Sequence, residues 1–324
     1  MAEQAGRPAV AAAGRQPPSG TYRFATTLTQ QQIKTLERES RRENLGRSWY
    51  KFSRNPMSVV GLALVVLLTL LAIFAPWVTP YPRHAGPFTD FAHAKLPPGA
   101  QQYLFGTDQI GRDILTRIVF GLRSSLLMGV VVLALVVPPG VLLGLLAGYF
   151  HGTWIDTIIM RITDIFLAVP PLILALAVAS VLKPNLWNGM MAVSLMWWPW
   201  YTRLVYGLAV ALRNEYFVTA AEVTGARAGH IIFREILPNT ISPVFTKMSI
   251  DIAWVIIIGS MLSFVGLGVQ PPEPSLGTMI ADGARYLPDQ WWIAVFPALA
   301  IVLVVLGFNL LGDGVRDMFG AEES

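Results

Sequence analysis

The chain has 324 residues, of which 54% are hydrophobic and only 14% are charged, and its formal net charge is +4. A soluble globular domain carries about 25% charged residues, so this composition excludes a soluble protein and indicates a polytopic membrane protein. Cysteine is absent, which excludes disulfides, thiolate metal sites and cysteine nucleophiles, and the four histidines follow no spacing that suggests a metal cage.

The segment 1–55 is predicted to form a cytoplasmic tail that ends in an interfacial helix. Residues 1–26 are rich in Ala, Gly, Pro and Gln without periodicity, a composition typical of disorder. Residues 27–43 are strongly charged and follow a helical pattern, and Trp49 beside Lys51 is typical of the headgroup zone. No apolar core follows the first basic residue closely enough to indicate a signal peptide.

Six apolar runs follow, and each is long enough to cross about 30 Å of hydrocarbon at about 1.5 Å per residue. They lie at 57–78, 123–149, 156–181, 188–210, 244–267 and 291–312. Lys and Arg are more numerous on the side that holds the N-terminus, which predicts that both termini are cytoplasmic. We therefore expect a six-helix transmembrane domain over 56–317, with a cytoplasmic loop at 211–243 and a short cytoplasmic tail at 318–324. Pro138-Pro139 inside the second run predicts a kink.

The loop at 79–122 is the long one on the outer side in this topology. Thr107 and Asp108 are good turn and N-cap residues. An apolar stripe at helical spacing follows them, made of Ile110, Ile114, Leu115 and Ile118. The pattern predicts an amphipathic helix that lies against the outer surface.

The third run opens with three charged residues, Asp156, Arg161 and Asp164. Charges at membrane depth are costly and are by default paired or functional. The spacing of three residues between Arg161 and Asp164 suits one helix face. It favours a structural ion pair near the interface over a transport role.

Asp251 in the fifth run has two interpretations. Lys247 lies four residues before it, which predicts an ion pair near the inner interface. The alternative is a carboxylate that faces the transport pathway. A cluster of aromatic residues that includes Trp198 also lies mid-run, away from the interface that such rings normally anchor, so Trp198 is a second candidate for the pathway.

The polar segment 215–239 has a helical pattern on each side of Gly225. Its second half predicts one apolar stripe, formed by Ile231, Ile232, Phe233, Ile236 and Leu237. Pro238 is predicted to end that helix because proline cannot donate to the helical hydrogen-bond ladder. The segment therefore reads as helix, glycine turn, helix and stop, an element that presents one surface to a partner or lies free at the membrane surface.

This order of residues resembles the cytoplasmic EAA loop of permease subunits in bacterial ABC importers. Ala220-Ala221 followed by Gly225, and later Leu237-Pro238, match the loop. The resemblance implies a coupling helix that docks into a cleft on an ATP-hydrolysing subunit. The residues it assigns to this role are Glu215, Thr219, Ala220, Ala221, Glu222, Gly225, Ile232, Leu237 and Pro238. The chain departs from the motif at Thr219, where the leading Glu is expected, and Glu215 and Glu222 are the candidates for the missing carboxylate.

A second string looks like the GTDxxGRD signature of dipeptide, oligopeptide and nickel permeases. It consists of Gly106, Thr107, Asp108, Gly111, Arg112 and Asp113. The resemblance places it near the face where a solute-binding protein lands. Segments 263–283, read as an outer loop, and 306–317 resemble the same permeases, and the C-type subunit of the permease pair fits best.

The resemblance implies an all-α, six-helix permease of the type I ABC importer fold in the bacterial inner membrane. It implies a related permease as heterodimer partner, two cytoplasmic ATPase subunits and an outer solute-binding protein. No GxxxxGK phosphate loop followed by Ser or Thr occurs, so the chain is not expected to be an enzyme, and ATP and Mg are expected on the partner subunits. The alternative is an ion-coupled secondary transporter. The motifs do not distinguish dipeptides from longer peptides, nickel chelates, opines or oligosaccharides.

Overall fold

The computed structural model describes Gly46 and residues 49–319. Within these residues the regular secondary structure is helical, and there is no β-strand. The predictions for residues 1–26, 27–43 and the last five residues lie outside this part. The helices are α1 Pro56–Ile73, α2 Ala75–Val78, α3 Ile114–Tyr149, α4 Trp154–Ala168, α5 Pro171–Val181, α6 Leu186–Arg213, α7 Tyr216–Val223, α8 Ala228–His230, α9 Leu237–Phe264, α10 Leu276–Ala284 and α11 Trp292–Phe319, with a π-helical turn Ile231–Ile236 between α8 and α9 and 3-10 turns at Pro82–Ala85, Phe91–His93 and Ala100–Gln102.

Four helical segments of the described chain are long and apolar enough to cross a membrane. They are Pro56–Ile73, Ile114–Tyr149, Ala228–Phe264 and Trp292–Met318. The pair α4 and α5 adds a fifth if it counts as one bent span. Helix α6 has 28 residues, enough for about 42 Å at 1.5 Å per residue, but it is less apolar. The prediction of a helical membrane protein is confirmed, whereas six separate spans are not reproduced.

The third predicted span, 156–181, is broken into α4 and α5, which meet at 89°. Pro170 and Pro171 cause the break, because neither has an N–H for the helical ladder and the residue before a proline avoids helical geometry. Val169 is accordingly extended, and Pro171 occupies the first position of α5, where proline is favourable. The pair Pro138-Pro139 has a different outcome, because α3 continues through both residues.

Helix α3 begins earlier than the second apolar run, and the predicted surface helix is wrong. Residues from Ile114 onward form the first turns of α3 itself. The N-cap is Asp113, whose Oδ2 accepts the Thr116 N–H at 2.8 Å, and it is not Thr107 or Asp108. Asp113 takes this place because the turn before it fixes its carboxylate over the orphan amides of the first helical turn.

Close packing of α3 against α6 forms the centre of the molecule. Gly140, Gly144 and Gly148 recur every four residues on one face of α3. A Cβ at Gly144 would lie 2.7 Å from Thr202 O and 2.8 Å from the Val205 Cβ. Small residues at such spacing let two membrane helices approach closely, and this contact fixes α6 beside α3.

The buried apolar residues form two clusters. One joins α1, α10 and α11 to the first half of α3. The other joins α3, α6 and α9 to the 215–239 segment through Val218, Ile231, Ile232 and Ile236. The outer contour of the helices stays apolar, as a lipid-facing surface requires.

Candidate functional site

The 215–239 segment begins with α7, which ends in a Schellman motif. The Ala226 N–H donates to Ala221 O at 3.0 Å, and the Gly225 N–H donates to Glu222 O at 2.9 Å. Gly225 has φ +82°, a left-handed conformation that glycine adopts without strain. The glycine of the predicted turn thus has a backbone conformation that favours glycine, and a Cβ added there would meet no atom of this chain within 4 Å.

Helix α7 has a buried face and an exposed apolar face. Val218 is fully buried in the α3–α6–α9 cluster, and Ala221 packs half-buried against it. On the other side Tyr216 is 92% exposed, Val223 is 83% exposed, and Ala220 between them is exposed. These three residues share one face because they lie four and three positions apart. We call Tyr216, Ala220 and Val223 the α7 outer face.

The second half of the segment differs from its prediction in two ways. The π-helical turn leads directly into α9, so Pro238 does not end the helix. The Leu237 N–H donates to Ile232 O, and Pro238 lies directly after the π-helical turn, in the first turn of α9. Phe233 is 51% exposed and does not belong to the buried stripe.

The two carboxylates proposed to replace the motif's leading Glu lie at opposite ends of α7. Glu215 occupies the N-cap position of α7 without a side-chain cap bond, and Glu222 lies in its last turn. Both residues and Thr219 are exposed. Glu215 is four positions and Glu222 three positions from Thr219, which places all three on adjacent parts of one face.

The signature string Gly106–Asp113 forms a buried polar network centred on Asp108. The Asp108 side chain is almost entirely buried, and its Oδ1 accepts the N–H groups of Ile110 at 3.0 Å and Arg112 at 2.9 Å. Its Oδ2 pairs with Arg112 Nε at 2.6 Å and lies 3.6 Å from Arg117 Nε. Such charge-assisted bonds offset the desolvation of a buried carboxylate.

Thr107 and the two glycines close this turn against the rest of the loop. Thr107 Oγ1 donates to His93 O at 2.5 Å and accepts the Leu96 N–H at 2.8 Å. Gly106 and Gly111 have φ +76° and +85°, and a Cβ at either would overlap a backbone carbonyl oxygen of a neighbouring loop strand. Only glycine fits both positions.

His84 completes the network from the preceding 3-10 turn. Its Nδ1 accepts the Asp113 N–H at 2.9 Å, and its ring stacks on Phe88 at 3.9 Å between centroids. Burial lowers the pKa of His84 below its ordinary value of 6.5, and the carboxylates of Asp113, Asp108 and Asp90 only partly oppose this effect. The imidazole is therefore held neutral, as an acceptor at Nδ1 must be.

The signature residues thus build the loop and do not present an open surface. Thr107, Asp108, Arg112 and Asp113 are all buried. Sequence reasoning missed Arg117 and His84 as members of the network. The available signal for Arg117 was a charge inside the apolar stripe that starts α3.

Asp251 lies at the wall of a cavity of about 450 Å³. It is 3% exposed, and Lys247 Nζ approaches its two oxygens at 3.1 and 3.2 Å. Trp197 Nε1 donates to its Oδ2 at 3.0 Å. The predicted ion pair with Lys247 is confirmed, and the same carboxylate also faces an open space. The cavity wall comprises Pro170, Pro171, Leu172, Trp197, Trp200, Lys247, Asp251, Trp254 and Ile258.

Trp198 as a pathway residue stays a prediction, whereas the predicted Arg161–Asp164 ion pair is wrong. Trp198 does not line this cavity but packs edge-on against Phe166 at 5.4 Å, because successive residues of α6 point in different directions. Asp164 does not pair with Arg161, since Arg203 of α6 provides its cation. Asp156 instead accepts from the Gly152 N–H and contacts His151 Nδ1, each at 2.9 Å.

Two models of known protein families match most of this sequence. A family model described as "Binding-protein-dependent transport system inner membrane component" matches residues 140–322, and another, described as "N-terminal TM domain of oligopeptide transport permease C", matches residues 44–98. The chain belongs to this family of transport permeases. It is therefore a permease subunit of an ABC importer and a multi-pass inner-membrane protein, and in such systems the ATPase is a separate subunit.

Individual relatives cover nearly the same span. The chain is 41% identical over 264 residues to the probable D,D-dipeptide transport system permease protein DdpC of Escherichia coli K12, covering 82% of this chain and 87% of the relative. It is 42% identical over 275 residues to the dipeptide transport system permease protein DppC of the same organism, covering 83% and 90%. The resemblance to the C-type permease is thereby confirmed, and the alternative of an ion-coupled secondary transporter finds no support.

A solved structure supports the fold. A chain of the MetNI methionine ABC transporter in an inward-facing conformation aligns with a TM-score of 0.52 and 19% identity, covering 63% of this chain and 97% of that chain. At this identity the likeness concerns the fold alone. It agrees with the type I permease architecture predicted from the motifs.

Proposed function

We propose that this permease forms half of a pathway for dipeptides or other short peptides, and that the 215–239 segment couples it to ATP hydrolysis. The peptide class is supported by relatives whose names specify dipeptide transport. The coupling role is supported by the α7 outer face, which the permease leaves exposed. In this proposal the docking residues are the exposed members of the EAA-like pattern between Glu215 and Pro238, and its buried members anchor the segment.

The anchoring of the segment is the observation that carries the coupling role. Val218, Ile231 and Ile236 are fully buried in the cluster formed with α3, α6 and α9. A force on the outer face therefore acts on packed transmembrane helices and not on a loose loop. Exposed apolar side chains on a fixed base are typical of a protein-binding surface.

The proposal extends to the assembly of the importer. We propose that a related permease completes the pathway, that two ATPase subunits bind the 215–239 side and that a solute-binding protein approaches the opposite side. ATP and Mg are then bound by the ATPase subunits and not by this chain. In this assembly the terminal segments 1–55 and 318–324 lie in the cytoplasm, the transmembrane domain spans 56–317, and the 79–122 loop lies outside.

Ala220→Asp tests the coupling role. The exposed Ala220 side chain can be changed without altering the buried face, and an acidic group there must be desolvated on docking. An unpartnered polar group costs about 1–3 kcal/mol, or roughly tenfold or more in affinity. We expect the purified importer to lose most of the ATPase activity that the loaded binding protein stimulates, while the permease remains inserted and abundant.

Ala220→Ser is the matched control, because it is small, neutral and hydrophilic at the same position, and it should keep stimulation near the wild-type level. Ala221→Asp is a poorer test, since Ala221 packs against the core and its replacement would disturb folding. Full stimulation in Ala220→Asp would show that the 215–239 segment is a surface element without a coupling role.

A further inference from the structure

The cavity beside Asp251 is bounded by three parts of the fold that the chain brings together from distant positions. The corner between α4 and α5 contributes Pro170 and Pro171, α6 contributes Trp197 and Trp200, and α9 contributes the charged pair and Trp254. Its volume of about 450 Å³ is within the range of roughly 300–1,000 Å³ that small-molecule sites occupy.

The chemistry of the wall is that of a site for an organic cation. It combines one buried carboxylate, Asp251, with three indole side chains, those of Trp197, Trp200 and Trp254. Indole faces attract ammonium groups through their quadrupole, and Trp200 and Trp254 are 43% and 52% exposed, so a ligand can reach them. The Trp197 N–H fixes the carboxylate by donating to Oδ2 at 3.0 Å.

A cation already occupies the position that this wall favours. Lys247 Nζ lies within 3.2 Å of both carboxylate oxygens, 5.8 Å from the centre of the Trp200 ring and 5.5 Å from that of Tyr201. The Lys247 side chain is 26% exposed, compared with 5% for Asp251. A primary ammonium on a flexible stem is thus the partner that can leave, and the carboxylate is the fixed part.

We propose that this cavity binds the primary ammonium group of a short peptide, and that the Lys247 ammonium holds the same place when no peptide is bound. The peptide ammonium would displace Lys247 from Asp251 and take over its contacts with the indole rings. Because one cation replaces another, the carboxylate is never left unpaired. The substrate class in this inference rests on the proposed function, whereas the ammonium site rests on the cavity.

The exchange makes the two members of the ion pair behave oppositely. The probe is alanyl-alanine amide, which has a free ammonium and no carboxylate, and its N-acetyl derivative is the control ligand. Equilibrium binding of radiolabelled probe is measured on the purified permease–ATPase complex without binding protein. Asp251→Asn should weaken binding by about tenfold or more, the scale of one charge-assisted contact, whereas Lys247→Met should tighten it by removing the competitor.

A purely structural ion pair gives a different pattern. If Asp251→Asn and Lys247→Met change binding in the same direction, or if neither changes it, the exchange is wrong. Equal binding of the probe and its N-acetyl derivative to the wild-type complex would also overturn it, and that comparison needs no variant.

A tryptophan pair covers the case in which a charge variant fails to assemble. Trp254→Leu removes a cavity wall and should weaken probe binding several-fold. Trp187→Leu changes the same residue type at a site that is 63% exposed and outside the cavity, and it should have no effect. Equal effects of the two changes would contradict the proposal.

Transport separates this inference from the proposed function. Vesicles that contain the importer, its binding protein and ATP are assayed for uptake of alanyl-alanine. Uptake without ammonium-dependent probe binding would overturn the cavity proposal and leave the peptide importer intact. Probe binding without uptake of any short peptide would overturn the peptide assignment and leave the ammonium site intact.

Discussion

Asp108 and Asp251 are both carboxylates with almost no exposed surface, but their surroundings differ. The Asp108 oxygens are enclosed by two backbone N–H groups and two arginines. Asp251 contacts one lysine and one indole N–H, the buried Tyr201 hydroxyl lies close to it, and the residue lines the wall of a cavity. The first carboxylate stabilises a loop, and the second has room for a ligand.

His84 gives the signature loop a pH dependence whose direction follows from its lowered pKa. The unfolded imidazole takes up a proton near its ordinary value of 6.5, whereas the folded one resists protonation to lower pH. The stabilisation is therefore complete above about pH 6.5 and is lost as the pH falls below it. Protonation also removes the acceptor for the Asp113 N–H.

Hydrogen exchange at Asp113 measures this effect locally. After correction for the intrinsic exchange rate, deuterium uptake in peptides containing Asp113 should rise as the pH is lowered from 7.5 to 5.5. His84→Asn keeps an acceptor oxygen but does not titrate. Deuterium uptake in this variant should already exceed that of the wild type at pH 7.5 and should be nearly independent of pH. Flat uptake in the wild type would contradict the role of His84.

Among the secondary-structure elements, the close contact between α3 and α6 can be tested directly. Gly144→Ala places a Cβ against Thr202 O and the Val205 Cβ, neither of which can move without shifting α6. We expect a loss of about 1–3 kcal/mol in stability, the usual cost of overpacking. Thermal unfolding of the purified complex in detergent measures it.

Gly207→Ala is the control for this change. Gly207 lies on α6, and a Cβ added there would meet no atom within 4 Å. The same substitution there should be neutral or should stabilise by up to about 1 kcal/mol, because alanine favours the helix more than glycine. Similar destabilisation at both positions would mean that helix contact is not the cause.

Hydrophobic runs predicted the helices well, but proline had different effects at different positions. Pro170-Pro171 breaks a span, while α3 continues through Pro138-Pro139. Pro238 also failed as a stop signal, since a π-helical turn precedes it. Local sequence shows that a proline lacks an N–H, but the surrounding helices determine whether the chain bends there.

Residue types in the sequence indicated the candidate sites, but the directions of the side chains could not be derived from their spacing. Ala220 and Ala221 are neighbours in the motif, and only Ala220 faces outward. The Lys247–Asp251 pair follows from a spacing of four on one helix. The cavity beside it depends on α6 and on the α4–α5 corner, which only tertiary packing brings together.

For the whole molecule, the orientation in the membrane is directly testable because the sequence contains no cysteine. Thr89→Cys lies at an exposed position of the 79–122 loop and should react in intact cells with a reagent that cannot cross the membrane. Asn214→Cys, exposed at the end of α6, should react only after the inner face is opened. The reverse labelling pattern would overturn the proposed orientation.

The helical segment Ala228–Phe264 is continuous over 37 residues, and this continuity makes it a lever. Ile236, buried beneath α7, and Asp251, at the cavity, lie on the same rod, separated by roughly 22 Å at 1.5 Å per residue. A tilt of about 10° about one of these points moves the other by roughly 4 Å over that arm. In the proposed coupling, a motion imposed at α7 would be carried to the cavity along this one helical segment, without a relay of side chains between them.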